Sequence, residues 1–516
     1  MANDAATATV SPVVETVSGK LRGLAAGGIF AFKGVPYGAD TGGANRFMPP
    51  FPPPPWTGVR EAFAYRGQAP QAPDRARRRP ELETVLGPAD ATPEGEDCLT
   101  LNIWTPGLDV AKRPVMVWLH GGAFAYGSGN RAVTDGANLA RRGDVVAVSV
   151  NHRLNILGHL ELGRFGARYA HSGNAGVLDL VAALRWVRDN IAAFGGDPGR
   201  VTIFGESGGG GKVSVLLAMP AAQGLFHRAV IQSGAALRVR TRERAEALTA
   251  AVLKHLGLDR PEPLHEVPLA TLLAAMTPAS RAVGPTQWKL LDRYDFGPVV
   301  DGADLPAQPF DPAATALADR IPLLIGGTHE ESGLFLADDD EVWHGRVSEE
   351  SLRRRIAAVA GAETDRVLAL YREGSREERL IAALTGANFW VRTVLLAERQ
   401  AIGATAPVYM YSLDWRSPFA GGRLQAHHAM DLGFVFDTTE VADSTRGAPG
   451  ARELAAVMSA AWAAFAHSGR PQIAALPEWP AYEPEGRATM VFDRTCRVVR
   501  DPDRDARLLW TRIVAG

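Results

Sequence analysis

Apolar and polar positions change rhythm several times along this chain, and each change marks an element. The sharpest is Val201-Thr202-Ile203-Phe204, a mostly β-branched run that stops at Gly205-Glu206-Ser207-Gly208-Gly209. Apolar spacing then resumes toward Leu216, Leu217 and Met219. A short, nearly continuous apolar run predicts a strand buried on both faces, and the spacing after it predicts a helix. Comparable runs at Val115–Leu119, Val145–Val150, Ala229–Ile231, Ile321–Ile325 and Val408–Tyr411 predict more strands of this kind. The first two are separated by enough chain for a crossover helix. Val177, Val181, Leu184, Val187 and Ile191 recur at helical spacing ahead of Phe194-Gly195-Gly196-Asp197. Such strand–helix alternation predicts an α/β fold with a mostly parallel central sheet flanked by helices.

Elsewhere the pattern differs. From Gly19 to about Trp56 short apolar pieces alternate with turn residues, which predicts antiparallel strands. Pro49 to Pro93 is rich in Pro, Arg and Ala and reads as a long ordered surface loop. Glu96 to Trp104 alternates as a strand. The segments 241–290 and 345–400 carry helical patterning between core strands and read as cap insertions around a site. An amphipathic helix near Leu454 to Phe465 and a final strand–helix pair close the chain. Internal repeats and low-complexity linkers are absent from the sequence, so residues 1–516 read as one large domain.

Composition narrows the function classes. Of 516 residues, 46% are hydrophobic and 22% charged, which suits a protein with a large core. A formal net charge of −2 gives no electrostatic reason to expect nucleic acid or an anionic membrane as partner. The cluster Arg75, Arg77, Arg78, Arg79 is short, flanked by Pro, and expected in a solvated loop. Met1 to Pro12 lacks a basic start and a continuous apolar core, so no signal peptide is expected. No uninterrupted apolar run approaches the ~18 residues of a membrane span. Cys98 and Cys496 are too few for a disulfide framework or a cysteine metal cage. Reduced thiols are expected, with a single bridge between the two left open. A cytoplasmic protein, monomeric or a small homo-oligomer and free of cofactors, is the expectation.

The chemistry centres on Gly205-Glu206-Ser207-Gly208-Gly209. A phosphate-binding loop competes for these glycines through Gly211-Lys212, but Glu206 stands where its first Gly belongs and Val213 where its Ser or Thr belongs. Strand, sharp turn and helix is instead the setting of a nucleophile elbow, in which small neighbours let the backbone turn tightly and lift the Ser207 hydroxyl clear of the sheet. The Gly208 amide then lies at a helix N-terminus, where it can stabilise a developing oxyanion. His120-Gly121-Gly122-Ala123-Phe124 follows a buried strand and suits the second half of such a hole, with the amides of Gly122 and Ala123 as donors. Acyl transfer also needs a base and a group to orient it. In α/β hydrolases the acid follows the serine and the His follows the acid. Glu331 stands in a turn at the end of the strand 321–325. The doublet His427-His428 opens the run Ala429 to Phe436.

The elbow with its approach from Phe194 resembles the first signature of the type-B carboxylesterases, and Glu96-Asp97-Cys98-Leu99-Thr100-Leu101-Asn102 is similar to the second. The likeness extends to Gly34-Val35-Pro36-Tyr37, Arg46-Phe47, Phe226-His227-Arg228-Ala229, Gln232-Ser233-Gly234 and Trp479-Pro480, which is nearly the whole chain. The resemblance implies an α/β-hydrolase fold and a catalytic triad of Ser207, Glu331 and His428. His427 is then a neighbour, and Ser233 a hydrogen-bonding support for the acid. Leu334, Phe335 and Phe434 are candidates for the pocket lining, each with plain core as the alternative.

Four departures from the family pattern stand out. Gly208 replaces a usual Ala, Ala123 replaces a third Gly, and Ser332 replaces a common Gly. No aromatic residue occurs between Arg66 and Asp97, where cholinesterases carry a cation-binding Trp, which disfavours choline esters. The expected function is hydrolysis of small to medium uncharged esters through an acyl-enzyme on Ser207. Amide or carbamate hydrolysis by the same triad is the alternative, and a non-catalytic binding protein on this scaffold is a more distant one.

Overall fold

A computed structural model describes residues 8–72, 79–284 and 294–515. The strands are β1 (Thr9–Thr16), β2 (Gly19–Ala26), β3 (Ile29–Pro36), β4 (Val59–Glu61), β5 (Thr100–Thr105), β6 (Arg113–Leu119), β7 (Val146–Val150), β8 (Gly196–Glu206) and β9 (Arg228–Gln232). They continue with β10 (Arg240–Thr241), β11 (Val299–Val300), β12 (Leu323–Thr328), β13 (Val408–Leu413), β14 (Ala488–Phe492) and β15 (Arg497–Arg500). A 13-stranded sheet runs β1-β2-β3-β5-β7-β6-β8-β9-β12-β13-β14-β15, with β4 beside β2. From β7 to β14 every neighbouring pair is parallel. At the flanks the pairs β1–β2, β2–β3, β3–β5, β5–β7 and β14–β15 are antiparallel, and β4 lies parallel to β2.

The period-2 geometry of a strand explains the continuous apolar runs. In β6, Val115, Val117 and Leu119 enter one hydrophobic cluster while Met116 and Trp118 enter another on the opposite face. Val201 and Ile203 of β8 divide from Phe204 in the same way, as do Ala229 and Ile231 of β9 from Val230. The helix Ala175–Asn190 covers the first face, and Ala451–Ser468 covers the second. With both faces covered, no polar alternation is needed.

Three details differ from the sequence reading. An additional strand, β1, precedes Gly19 and hydrogen-bonds to β2. Strand β5 is buried at all six positions instead of alternating, because both of its faces are covered: Leu101 and Ile103 enter one apolar cluster and Trp104 packs with Ile29, Ala140 and Ala147 in another. The closing unit is a hairpin, β14–β15, followed by the helix Arg504–Ala515. Among the described residues, the loop from Pro49 carries the short strand β4, a turn of 3-10 helix at Pro80–Leu82 and an isolated bridge between Gln68 and Glu94. Arg75, Arg77 and Arg78 lie outside the described residues.

Between β9 and β12 the chain forms the helices Arg242–Leu256, Leu269–Ala274 and Met276–Val283. Between β12 and β13 it forms Glu349–Ala360, Thr364–Leu370, Arg376–Thr385 and Val391–Gly403. A π-helical turn, Gly386–Trp390, joins the last two. The continuous helical stretch Arg376–Gly403 has the length and apolar composition of a membrane span, yet 72% of its most apolar window is buried inside the protein. Cys98 and Cys496 are both free thiols.

Candidate active site

Strand β8 ends at Glu206, and the helix Gly208–Leu216 begins directly after Ser207. Ser207 itself has φ 56° and ψ −122°, a strained conformation for a residue with a side chain. Small neighbours make the turn sterically possible. A side chain on Gly205 would collide with the backbone of Gly209, and one on Gly209 with the carbonyl of Leu119. The serine is thus held at the carboxyl edge of the parallel strands, where open α/β sheets build their sites.

The loop after β6 lies against this elbow. A side chain at Gly121 would come within 2.9 Å of the Glu206 carbonyl and carboxylate oxygens. Gly122 (φ 90°) and Ala123 (φ 51°) both take left-handed backbone angles. Among the described residues, the amides of Gly122, Ala123 and Gly208 donate to no protein acceptor. Ser207, Gly122, Ala123 and Gly208 line one cavity of about 660 Å³.

Glu331 and His428 are brought to the same place from opposite ends of the sequence. Glu331 follows β12, and its Oε2 lies 2.5 Å from His428 Nδ1. Its other oxygen, Oε1, accepts from the Thr328 amide at 2.9 Å. The neighbouring Glu330 ties the two loops together, since its amide donates to the Ala426 carbonyl (3.0 Å) and its Oε2 accepts from the Ala426 amide (3.1 Å). His427 is buried and its Nδ1 is directed to the His428 carbonyl at 2.8 Å. The Ser207 hydroxyl makes no hydrogen bond to His428 in this structure. His428 Nε2 instead lies 3.1 Å from Glu206 Oε1, close but off the line of a hydrogen bond.

The electrostatics follow from that crowd of carboxylates. Burial alone would lower the pKa of His428, but Glu206, Glu331 and Asp431 outweigh it and raise it to about 9. Burial raises the Glu206 carboxyl to about 8, against the pull of the His428 charge. The pair titrates as a unit, because each charge stabilises the other. Asp431, raised by burial to about 6, accepts from Gln232 and from Tyr411, both at 2.8 Å.

Two of the sequence expectations are corrected. Ser233 does not bond Glu331. Among the described residues its hydroxyl is buried without a hydrogen-bond partner, and the carboxylate accepts instead from the Thr328 amide and meets His428 Nδ1. Phe434 does not line the cavity. It is fully buried and packs edge-on against Trp415, 5.3 Å between ring centres. Leu334 and Phe335 do line it. The Phe335 ring lies 4.8 Å from that of His428 and stacks on Phe389, whose own ring is 5.2 Å from the imidazole. No motif in the sequence marks Phe389. It sits on the π-helical turn Gly386–Trp390, an irregularity frequent at functional sites.

Comparison with known proteins identifies the family. Residues 10–508 match the model of the carboxylesterase family. The chain is 37% identical over 501 residues to a para-nitrobenzyl esterase of Bacillus subtilis, an overlap of 96% of this chain and 97% of that one. Its structure is similar to a carboxylesterase of Geobacillus stearothermophilus (TM-score 0.82, 39% identity, 97% of this chain and 100% of that one). It is also similar to an esterase from Clostridium hathewayi described as able to hydrolyse aliphatic aromatic polyesters (TM-score 0.81, 38% identity, 98% of each chain).

Proposed function

This chain belongs to the carboxylesterase family and is a serine carboxylic-ester hydrolase, and we propose that Ser207, His428 and Glu331 are its catalytic triad, acting on small to medium uncharged esters. The observation that carries the assignment is the 2.5 Å contact between Glu331 Oε2 and His428 Nδ1, beside a strained serine in the same cavity.

In this reading Ser207 attacks the ester carbonyl as His428 Nε2 takes the hydroxyl proton, and Glu331 stabilises the imidazolium that forms. The amides of Gly122, Ala123 and Gly208 receive the negative charge on the carbonyl oxygen, each worth about 3 kcal/mol of transition-state stabilisation. The imidazolium then protonates the departing alkoxide. A water, deprotonated by the same imidazole, releases the acid from Ser207. Phe335 and Phe389 give the cavity an aromatic wall, which supports substrates carrying an aryl group. So does the likeness to an enzyme named para-nitrobenzyl esterase and to one described as hydrolysing aliphatic aromatic polyesters. A cytoplasmic monomer or small homo-oligomer completes the proposal, and its two free thiols suit a reducing compartment.

The test is hydrolysis of p-nitrophenyl acetate, butyrate and octanoate by the wild type and by Ser207→Ala. The reading requires activity that disappears in the variant, together with labelling of Ser207 by a small organophosphate. A folded wild type that is inert on all three esters and unlabelled overturns it.

A further inference from the structure

A lysine lies where a hydrolase of this design has no evident use for one. Lys212 sits on the helix Gly208–Leu216 and is completely buried. Its Nζ donates to the His120 carbonyl at 2.7 Å. The same ammonium lies 5.7 Å from the centre of the Phe124 ring. His120 and Phe124 are the two ends of the loop whose middle is Gly121-Gly122-Ala123. One side chain therefore contacts both ends of the segment that carries two of the three oxyanion donors, from a helix whose first amide is the third.

The surroundings do not neutralise this amine in the ordinary way. The His120 ring stacks on that of His152, 5.0 Å between centres, and burial pushes both imidazoles well below their usual range, as does the Lys212 charge. They are therefore uncharged neighbours. Burial lowers Lys212 to about 7, and the Glu206 carboxylate pulls it back up. A buried lysine without an adjacent salt bridge is costly to a fold, and such groups are retained where they position something.

We propose that Lys212 is a positioning residue for ester hydrolysis, bracing the Gly121-Gly122-Ala123 loop against the nucleophile helix so that its amides meet the oxyanion. The hydrogen bond to His120 fixes the carbonyl immediately before the loop, and contact with Phe124 fixes the residue immediately after. The glycines between them have too little side chain to hold themselves in place. Donors must lie 2.7–3.1 Å from the oxyanion position to be effective, so a displacement of about 1 Å costs the chemical step and not substrate binding.

This inference rests on the triad reading, and the experiment separates the two. Lys212→Met removes the donor while filling its space, and Lys212→Gln keeps a shorter donor. Each is compared with the wild type in kcat and KM on p-nitrophenyl butyrate and in inhibition by a trifluoromethyl ketone, which forms a tetrahedral adduct with the serine. In Lys212→Met, kcat should fall roughly 10- to 100-fold with KM within about twofold, and the inhibition constant should rise in parallel with the loss of kcat. Lys212→Gln should recover part of both, and it carries the test if the Met variant does not fold. An active wild type whose kcat and ketone inhibition are unchanged in either folded variant overturns the proposal alone. A change in KM that equals the change in kcat/KM also overturns it. A wild type inert on the ester and insensitive to the ketone overturns the triad reading and this proposal with it.

Discussion

The backbone of Ala123 passes so close to Gly208 that a side-chain carbon at Gly208 would fall on the Cα, carbonyl carbon and oxygen of Ala123. Two departures from the family pattern, the missing methyl at 208 and the added one at 123, are thus neighbours in space. The close approach of the Ala123 backbone explains why the residue directly after the serine is glycine. Gly208→Ala should cost about 1–3 kcal/mol in stability through overpacking and lower kcat by displacing an oxyanion donor. Ala123→Gly in the same chain should return part of the loss, since glycine takes φ 51° without strain and lets the loop move. A double-mutant cycle on kcat and on the urea midpoint checks this. Additive effects would show that the two positions are not coupled.

Ala123 alone makes a second prediction. It lines the cavity beside Ser207, and its methyl group narrows the space next to the scissile carbonyl. Esters of tertiary alcohols, which carry the most bulk there, should be poor substrates. Ala123→Gly should raise the ratio of tert-butyl acetate to p-nitrophenyl acetate turnover, and an unchanged ratio would remove the methyl as a determinant.

Away from the chemistry, the strongest electrostatic commitment is Arg153 with Asp179. Nε and Nη2 of the guanidinium donate to the two carboxylate oxygens at 2.8 and 2.6 Å, and the Arg153 amide adds a bond at 3.0 Å. The side chains are 2% and 0% exposed. Asp179→Asn leaves a buried guanidinium without its counter-charge, and about 3–5 kcal/mol of stability should be lost. Urea unfolding measures it, and a midpoint equal to that of the wild type would show that the cation reaches water.

Much of this architecture is legible in the amino-acid sequence. The buried strands were legible because a strand covered on both faces writes an uninterrupted apolar run, as β6, β7 and β8 do. Ser207 was legible because its turn demands glycines at fixed offsets, and Glu331 and His428 because their neighbours match a family pattern. Strand β1 was not legible. It lies at the sheet's edge with Val10 and Val13 facing solvent and carries Pro12, so neither apolar continuity nor alternation marks it. Phe389 and Lys212 were missed for another reason. A π turn and a buried amine have no local sequence signature, since what makes them notable is which distant residues surround them. The Ser233 role was not legible for the same reason, because whether a hydroxyl meets a carboxylate is set by the orientation of side chains that follow two separate strands.

The placement of Glu206 leads to a prediction about pH. Its Oε1 lies 3.1 Å from His428 Nε2, the atom that takes the Ser207 proton in the proposed triad. An ionised Glu206 therefore favours the imidazolium, which cannot act as a base. Together with Glu331 it outweighs burial and holds the His428 pKa up, to about 9. Activity in the wild type should rise with pH through the neutral range and beyond, as the imidazolium gives up its proton. Glu206→Gln keeps the shape of the side chain and removes the charge. The imidazolium then loses one of its stabilising partners, the His428 pKa falls, and the base is ready at lower pH. The acid limb of kcat/KM should move down by roughly 1 unit or more, whatever the height of the plateau, because an opposite charge at this distance typically shifts a pKa by that much. A pH profile of kcat/KM on p-nitrophenyl butyrate, corrected for spontaneous hydrolysis, reads the shift directly. An acid limb that stays in place in the Gln variant would show that Glu206 still carries its proton when the imidazolium titrates, so that its charge does not act on His428. In that case Glu331 and Asp431 alone set the basicity of His428.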